Sequence, residues 1–332
     1  MDLQISTHMT SRERFLKTMR YEKTDRVPYF EEGIRKDVIK AWRTQGLSKK
    51  AELSEMFSTD RREEIEVDLE PRPKLKKWPA SRNELNVLRK SLDPDDSRRL
   101  PWKWPQRVRT WRSRDHMLML RVHRGFFLSM GVYGWDRFSE VIRLLIKDPK
   151  FMREALAIQG EFAARMAERV LAEVEVDAAV FSEPIGGNDR PLLSPQMYEE
   201  FVLTSYQPVL DVLNRYGIET IILRTFANAR ILIPSILKWG FNCLWACEVN
   251  IEAMDYRDLR REFGPQLRLI GGIDLDALRL DKKAVRREVE EKVPPLLAGG
   301  GYVPLADGRV RADVPFENYV YYRKLLEKVT RI

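Results

Sequence analysis

Cysteine and histidine are scarce in this chain. Its 332 residues hold two cysteines, Cys243 and Cys247, and three histidines, His8, His116 and His123. These form no CxxC, HExxH or clustered His/Cys spacing, which argues against a zinc site built from imidazole and thiolate. On a strand, residues four apart share a face and lie roughly 13 Å from each other, too far for a disulfide, so both cysteines are expected as reduced core thiols. There is also no uncharged apolar run of the roughly 18 to 20 residues a membrane span needs, so no membrane partner is expected. The N-terminus, MDLQISTHMTSRERFLKTMR, lacks the apolar segment and small-residue cleavage site of a secretory signal, and a cytoplasmic location is the expectation. No GxGxxG or GxxxxGK(S/T) follows a candidate strand, which weakens nucleotide-binding readings.

What is present is an ordinary globular composition with a basic balance. Apolar residues make up 44%, charged residues 33%, and the formal net charge is +8. In DYRDLRREFG and KKAVRREVEEK the basic residues alternate with acids, as on solvated helix faces. The stretch 98–124, RRLPWKWPQRVRTWRSRDHMLMLRVHR, alternates arginine with tryptophan. It could grip phosphate and stack bases, rim a pocket for an anion, or anchor a structural segment. The interleaved acids elsewhere disfavour nucleic acid as a partner.

Periodicity gives the architecture. Residues 9–22 carry a Thr/Ser cap and an apolar face of Phe15, Leu16 and Met19. TDRVPYFEEG reads as a turn into a short strand, 35–57 as helix, and 58–115 as a long irregular stretch. From 117 onward short apolar runs alternate with helices expected at 135–147, 149–174, 195–215, 229–239, 253–263, 282–298 and 315–330. Continuous apolar strands alternating with helices indicate parallel pairing with both faces covered. The expected fold is α/β, a closed (β/α)8 TIM barrel with an irregular Arg/Trp-rich N-terminal insertion. The chain would be a single domain over 1–332: N-terminal helices and first strand in 1–57, the insertion in 58–124, regular β/α units in 125–332.

Barrel active sites lie at the C-terminal strand ends and the loops after them. Those positions here are Glu183, Asn188 and Arg190; Arg224 and Asn228; Trp245 and Glu248; Asp274; and Asp307 with Arg309. Any one of them could cap the following helix. Together they would bring carboxylates and guanidinium groups to one mouth.

These stretches carry a resemblance. SRERFLKTMRYEKTDRVP, GGNDRPLLSPQMYEEFV, LIGGIDLDAL and GGYVPLADGRVRADVPFENYVYYRKLL are similar to segments of the uroporphyrinogen decarboxylase superfamily, most closely its branch related to corrinoid-dependent methyltransferases. The departures bear on chemistry. Where the decarboxylases carry an Arg-rich MRQAGR, this chain reads YFEEGIRKD. Where methyl-transferring members place a zinc-binding His-x-Cys, it has Arg224 and Phe226, and where relatives often read DH it has Asp307-Gly308. A guanidinium cannot bind a cation, so no metal is expected and Arg224 would instead pair with Glu183, Glu248 or Asp274, or hold an anionic ligand.

The resemblance implies an enzyme acting on a small anionic substrate. The first expectation is methyl transfer from an oxygen- or nitrogen-linked donor to a corrinoid on a partner protein, without tightly bound cofactor. Glu183, Glu248 and Asp307 are the candidate catalytic acids. Asn188, Arg190, Arg224, Asn228, Trp245, Asp274 and Arg309 are the candidate substrate contacts. The runner-up is cofactor-free decarboxylation of uroporphyrinogen or a related carboxylate, and a third reading is a non-catalytic binding barrel. A homodimer is compatible with any of these. Cys247, one residue before Glu248, is expected to turn away from that carboxylate toward the helices.

Overall fold

The structure, a computed structural model, describes residues 9–248 and 251–331; His8 lies outside them. Among the described residues there are seven strands: β1 (Arg62–Glu66), β2 (Met117–His123), β3 (Ala178–Ser182), β4 (Ile221–Phe226), β5 (Cys243–Cys247), β6 (Arg268–Ile273) and β7 (Tyr302–Ala306). Strand order follows chain order from β1 to β7, and β2–β3, β3–β4, β5–β6 and β6–β7 pair in parallel. With helices in the connections this is a parallel α/β fold of TIM-barrel-like type. Among the described residues, no helix is long and apolar enough to cross a membrane.

The chain divides into two compact units, one of Met1–Glu63, Asp115–Met117 and Cys243–Ile332, the other of Glu64–Arg114 and Leu118–Asn242. In the second unit, Leu120, Ala179, Phe181, Ile221 and Leu223 project from one sheet face into a core shared with the helices Pro149–Leu171 and Thr204–Arg215. Register puts Arg121 beside Val180, and Ser182 beside Arg224, on the opposite face. Parallel strands are usually apolar on both faces, so guanidinium groups on one side mark it as something other than core.

The stretch 58–115 is more regular than expected. It holds β1 and the helices Leu85–Ser91 and Trp104–Arg112. Arg99 organises the loop that follows β1. Its guanidinium is buried and donates to the carbonyls of Asp93 (2.6 Å), Asp68 (3.0 Å), Glu70 (2.8 Å) and Ser91 (2.7 Å). Burial lowers its pKa, although it stays charged.

In the first unit, Thr10 caps the helix Ser11–Met19 in a reciprocal capping box with Glu13. The helix expected over 35–57 splits into Lys36–Thr44 and the single turn Leu53–Met56, interrupted at Gly46, whose φ of +105° favours glycine. The strand expected in TDRVPYFEEG forms no ladder. It passes into Ile34, which makes an isolated parallel bridge to Val310.

Candidate functional site

In the second unit, the polar sheet face is organised around Glu64 of β1. Arg224 of β4 holds it in bidentate fashion, Nη1 to Oε2 at 2.9 Å and Nη2 to Oε1 at 3.0 Å. Arg121 of β2 approaches the same carboxylate at 3.3 Å and also pairs with Glu66. Arg224 therefore pairs with neither Glu183 nor an open solvent position. A planar guanidinium fork facing a carboxylate is the strongest ion-pair geometry available to side chains.

At the end of β2 the chain turns sharply through His123, Arg124 and Gly125. Gly125 donates its N–H to Nδ1 of His123 at 3.0 Å. Burial, aided by the neighbouring Arg124 charge, pushes His123 down to about 3, so it is neutral and can accept. Gly125 has a φ of +86°, and a Cβ there would lie 2.5 Å from the Ser182 carbonyl oxygen and 3.0 Å from Glu183 Oε1. That close approach lets the Phe126 N–H donate to both Glu183 oxygens, at 3.0 and 3.2 Å.

Glu183 follows β3 and is fully buried. Tyr206 donates its hydroxyl to it, and burial raises its pKa to about 7 against the opposing pull of Tyr206 and the Phe126 N–H. A catalytic carboxyl with a raised pKa was expected here. The pKa is raised, but the group faces a loop amide and a tyrosine rather than solvent.

Arg124 reaches outward from the same turn. It donates to the Tyr133 hydroxyl and lies 3.3 Å from Glu70 Oε1, to which Tyr133 donates at 3.2 Å. These groups border a cavity of about 340 Å³ lined by Glu70, Pro71, Lys74, Leu75, Trp78 and Tyr133. A neighbouring cavity of about 420 Å³ lies around Asp68, Arg72, Lys74 and Arg98. The segment after β1 builds both and the loop after β2 adds Tyr133 to the smaller one, at the end of the strands where barrels place their sites.

The remaining expected residues of this unit divide sharply. Asn188 and Arg190 are exposed. Asn228 is nearly buried and ties two loops together, donating to the carbonyl of Asp189 in the loop after β3 at 2.6 Å and accepting the Arg230 N–H of its own loop at 3.0 Å.

In the first unit, Trp245 is buried, 5.6 Å from the Phe30 ring with Arg62 5.0 Å over it. It shares a strand face with Cys247. The thiol of Cys247 lies 3.2 Å from Glu32 Oε1, on the extended segment before Ile34, not against a helix as alternation alone had implied. Both cysteines are free and buried.

Glu248 is exposed, adopts a left-handed φ of +50°, and donates its N–H to the Asp307 carbonyl at 2.8 Å. Asp307 is nearly buried, its carboxylate accepting the Leu275 N–H at 2.9 Å. Burial raises the pKa of Asp274, which lines a cavity of about 450 Å³ with Arg279, Arg287 and Asp313. Arg309 is exposed.

Residues 127–319, over half of the chain, match the family Uroporphyrinogen decarboxylase (URO-D). The chain belongs to the uroporphyrinogen decarboxylase family. Among solved structures it resembles a methyltransferase from Methanosarcina mazei, with a TM-score of 0.61 and 15% identity, over 96% of this chain and 99% of that one. At that identity the likeness speaks for a shared fold. No curated protein matches.

The zinc that the resemblance implies for methyl-transferring members of the uroporphyrinogen decarboxylase superfamily does not fit the residues present. The ligand positions on β4 hold Arg224, already committed to Glu64, and Phe226. Among the described residues, no three His, Cys, Asp or Glu side chains are grouped to hold a metal ion.

Sequence reasoning missed Glu64, Glu70, Trp78 and Tyr133; Arg121 and Arg124 fell inside the stretch 98–124, read among other roles as the rim of an anion pocket, without being singled out. A signal for Arg124 was present, since RVHRG repeats the pattern of an apolar strand followed by a polar tip.

Proposed function

We propose that this chain is a single-domain barrel enzyme of the uroporphyrinogen decarboxylase superfamily that moves a methyl group from a small anionic donor to a corrinoid on a partner protein. The eightfold closure belongs to the same proposal, with residues 27–34 completing the barrel; the Ile34–Val310 bridge supports it. The observation that carries the enzymatic reading is the Glu64–Arg121–Arg224 cluster on a sheet face turned away from the apolar core. Partly buried charges are costly to maintain as mere support and gather at functional sites.

In the reaction, the bond between methyl carbon and donor heteroatom breaks, the methyl group passes to the reduced corrinoid, and the heteroatom leaves with a proton. Of the three expected acids, Glu248 is the exposed one, and the proposal gives it the proton-donor role. Glu183 and Asp307 hold loop amides instead. Arg224 is occupied by Glu64, so in the unit that carries Glu248 anion recognition falls to the exposed Arg309. The neighbour named a methyltransferase supports the choice of chemistry.

Purified protein is assayed with a panel of oxygen- and nitrogen-methyl donors and a reduced corrinoid acceptor. Turnover that disappears in Glu248→Gln, with an unchanged melting curve, is expected. Silence across the panel sinks the reading. A second reading, decarboxylation of uroporphyrinogen or a related carboxylate, draws on the family description and on Lys74 and Arg124 beside the cavity. Carbon dioxide release from uroporphyrinogen would decide for it.

A further inference from the structure

The cavity of about 340 Å³ beside Arg124 has the properties of a built ligand site. Its aromatic walls are held in place before any ligand arrives. Trp78 lies against Gly131, where a Cβ would come within 2.0 Å of a ring atom, so only glycine lets the indole seat there. Gly131 also has a φ of +75°, which favours glycine independently. Arg137 covers Trp78 at 5.8 Å from the ring centre and ties the segment down, donating to the carbonyls of Met130 (2.9 Å) and Pro79 (3.1 Å). Tyr133 is fixed through its hydroxyl, which accepts from Arg124 and donates to Glu70. A wall this preorganised loses little entropy when a flat ligand packs on it.

Charge decides what the ligand carries. Glu70 is offset by Arg124 at 3.3 Å and by the Tyr133 hydroxyl. Trp78 already has a guanidinium over its ring, which disfavours a second cation. Lys74 lines the cavity and has no ion-pair or hydrogen-bond partner among the described residues. The uncompensated charge is one ammonium. The volume is near the lower limit for small-molecule sites, which suits one or two fused rings and leaves no room for a tetrapyrrole.

We infer that this cavity binds a planar aromatic carboxylate, its ring against Trp78, Leu75 and Tyr133 and its carboxylate on Lys74. The inference concerns binding in the second unit and is independent of the proposed reaction.

The test titrates the full-length protein with 2-naphthoate and with its uncharged amide, followed by calorimetry and by tryptophan fluorescence. One equivalent of naphthoate is expected to bind, with the amide weaker by about tenfold and Lys74→Met weakening naphthoate by about the same factor, as for loss of one charge-assisted contact. Lys74 is exposed, so this variant is expected to fold; Trp78→Leu then serves as the wall variant, with loss of naphthoate binding expected. No saturable naphthoate binding, equal binding of acid and amide, or an unchanged Lys74→Met variant would each overturn the inference. Saturable naphthoate binding that Lys74→Met weakens supports the site whether or not any methyl donor turns over, because naphthoate carries no methyl group to transfer.

Discussion

Replacing Glu183 by glutamine separates a buried proton store from a catalytic acid. The carboxyl is fully buried and titrates near 7 rather than 4.5, because burial penalises its charged form more than Tyr206 and the Phe126 N–H favour it. Its folded pKa is raised, so its contribution to stability is fully present below the unfolded value near 4.5. It falls as pH rises through the window from there to about 7 and is lost above that. The difference between the two pKa values corresponds to about 3 kcal/mol. Glutamine is nearly isosteric, still accepts the Phe126 N–H, and does not titrate. Below the window it should cost about 1 kcal/mol, one imperfectly satisfied amide hydrogen. Above the window it should be the more stable protein, by about 2 kcal/mol. His123, buried and held neutral, destabilises the fold as pH falls below about 6.5, but it is present in both proteins and cancels in the comparison. Scanning calorimetry at intervals from pH 4 to 8.5 is the assay, and the melting curves of parent and variant should cross. Parallel curves across the range would show that Glu183 is ionised throughout or exposed, and the argument from burial would fail.

Arg224→Met removes the bidentate partner of Glu64 in a partly buried position and should cost about 2 kcal/mol; Glu64→Gln in the same chain should restore part of the lost melting temperature. Gly131→Ala forces a side chain into the Trp78 ring at a left-handed φ, and a loss of at least about 2 kcal/mol together with an altered tryptophan emission maximum is expected. Elemental analysis of purified protein should find no stoichiometric zinc; one zinc per chain surviving gel filtration and lost in Cys247→Ala would contradict the commitment of Arg224 to Glu64 and of Cys247 to Glu32.

The strands from β2 to β7 were legible because parallel strands covered on both faces appear as short continuous apolar runs. β1 was not. Its sequence, REEIE, has Ile65 as the sole apolar residue, and its charged residues are acceptable in a sheet because Arg224 and Arg121 neutralise Glu64. That neutralisation spans 160 residues of sequence for Arg224, and no local window contains both partners. The same limit explains the site. Strand-end acids could be picked out residue by residue, yet whether an acid faces solvent depends on what folds over it. Glu183 and Glu248 look alike in sequence, and the turn at Gly125 with Tyr206 buries one while the other stays exposed. Trp78 and Tyr133 carried no periodic signal, since each sits in an irregular loop and gains its role from Gly131 and Arg124.

Arg99 holds the loop after β1 entirely through main-chain carbonyls. A carbonyl is the same whichever side chain it belongs to, so the four contacts to Arg99 do not depend on which side chains stand at 68, 70, 91 and 93. The aspartates add a second tie, Asp68 accepting the Glu70 N–H at 2.9 Å and Asp93 the Asp95 N–H at 2.9 Å. Substitutions at 70 can therefore alter what the rim recognises while Arg99, Asp68 and Asp93 keep its path through space, which makes that position suited to randomisation or to divergence of specificity within a lineage.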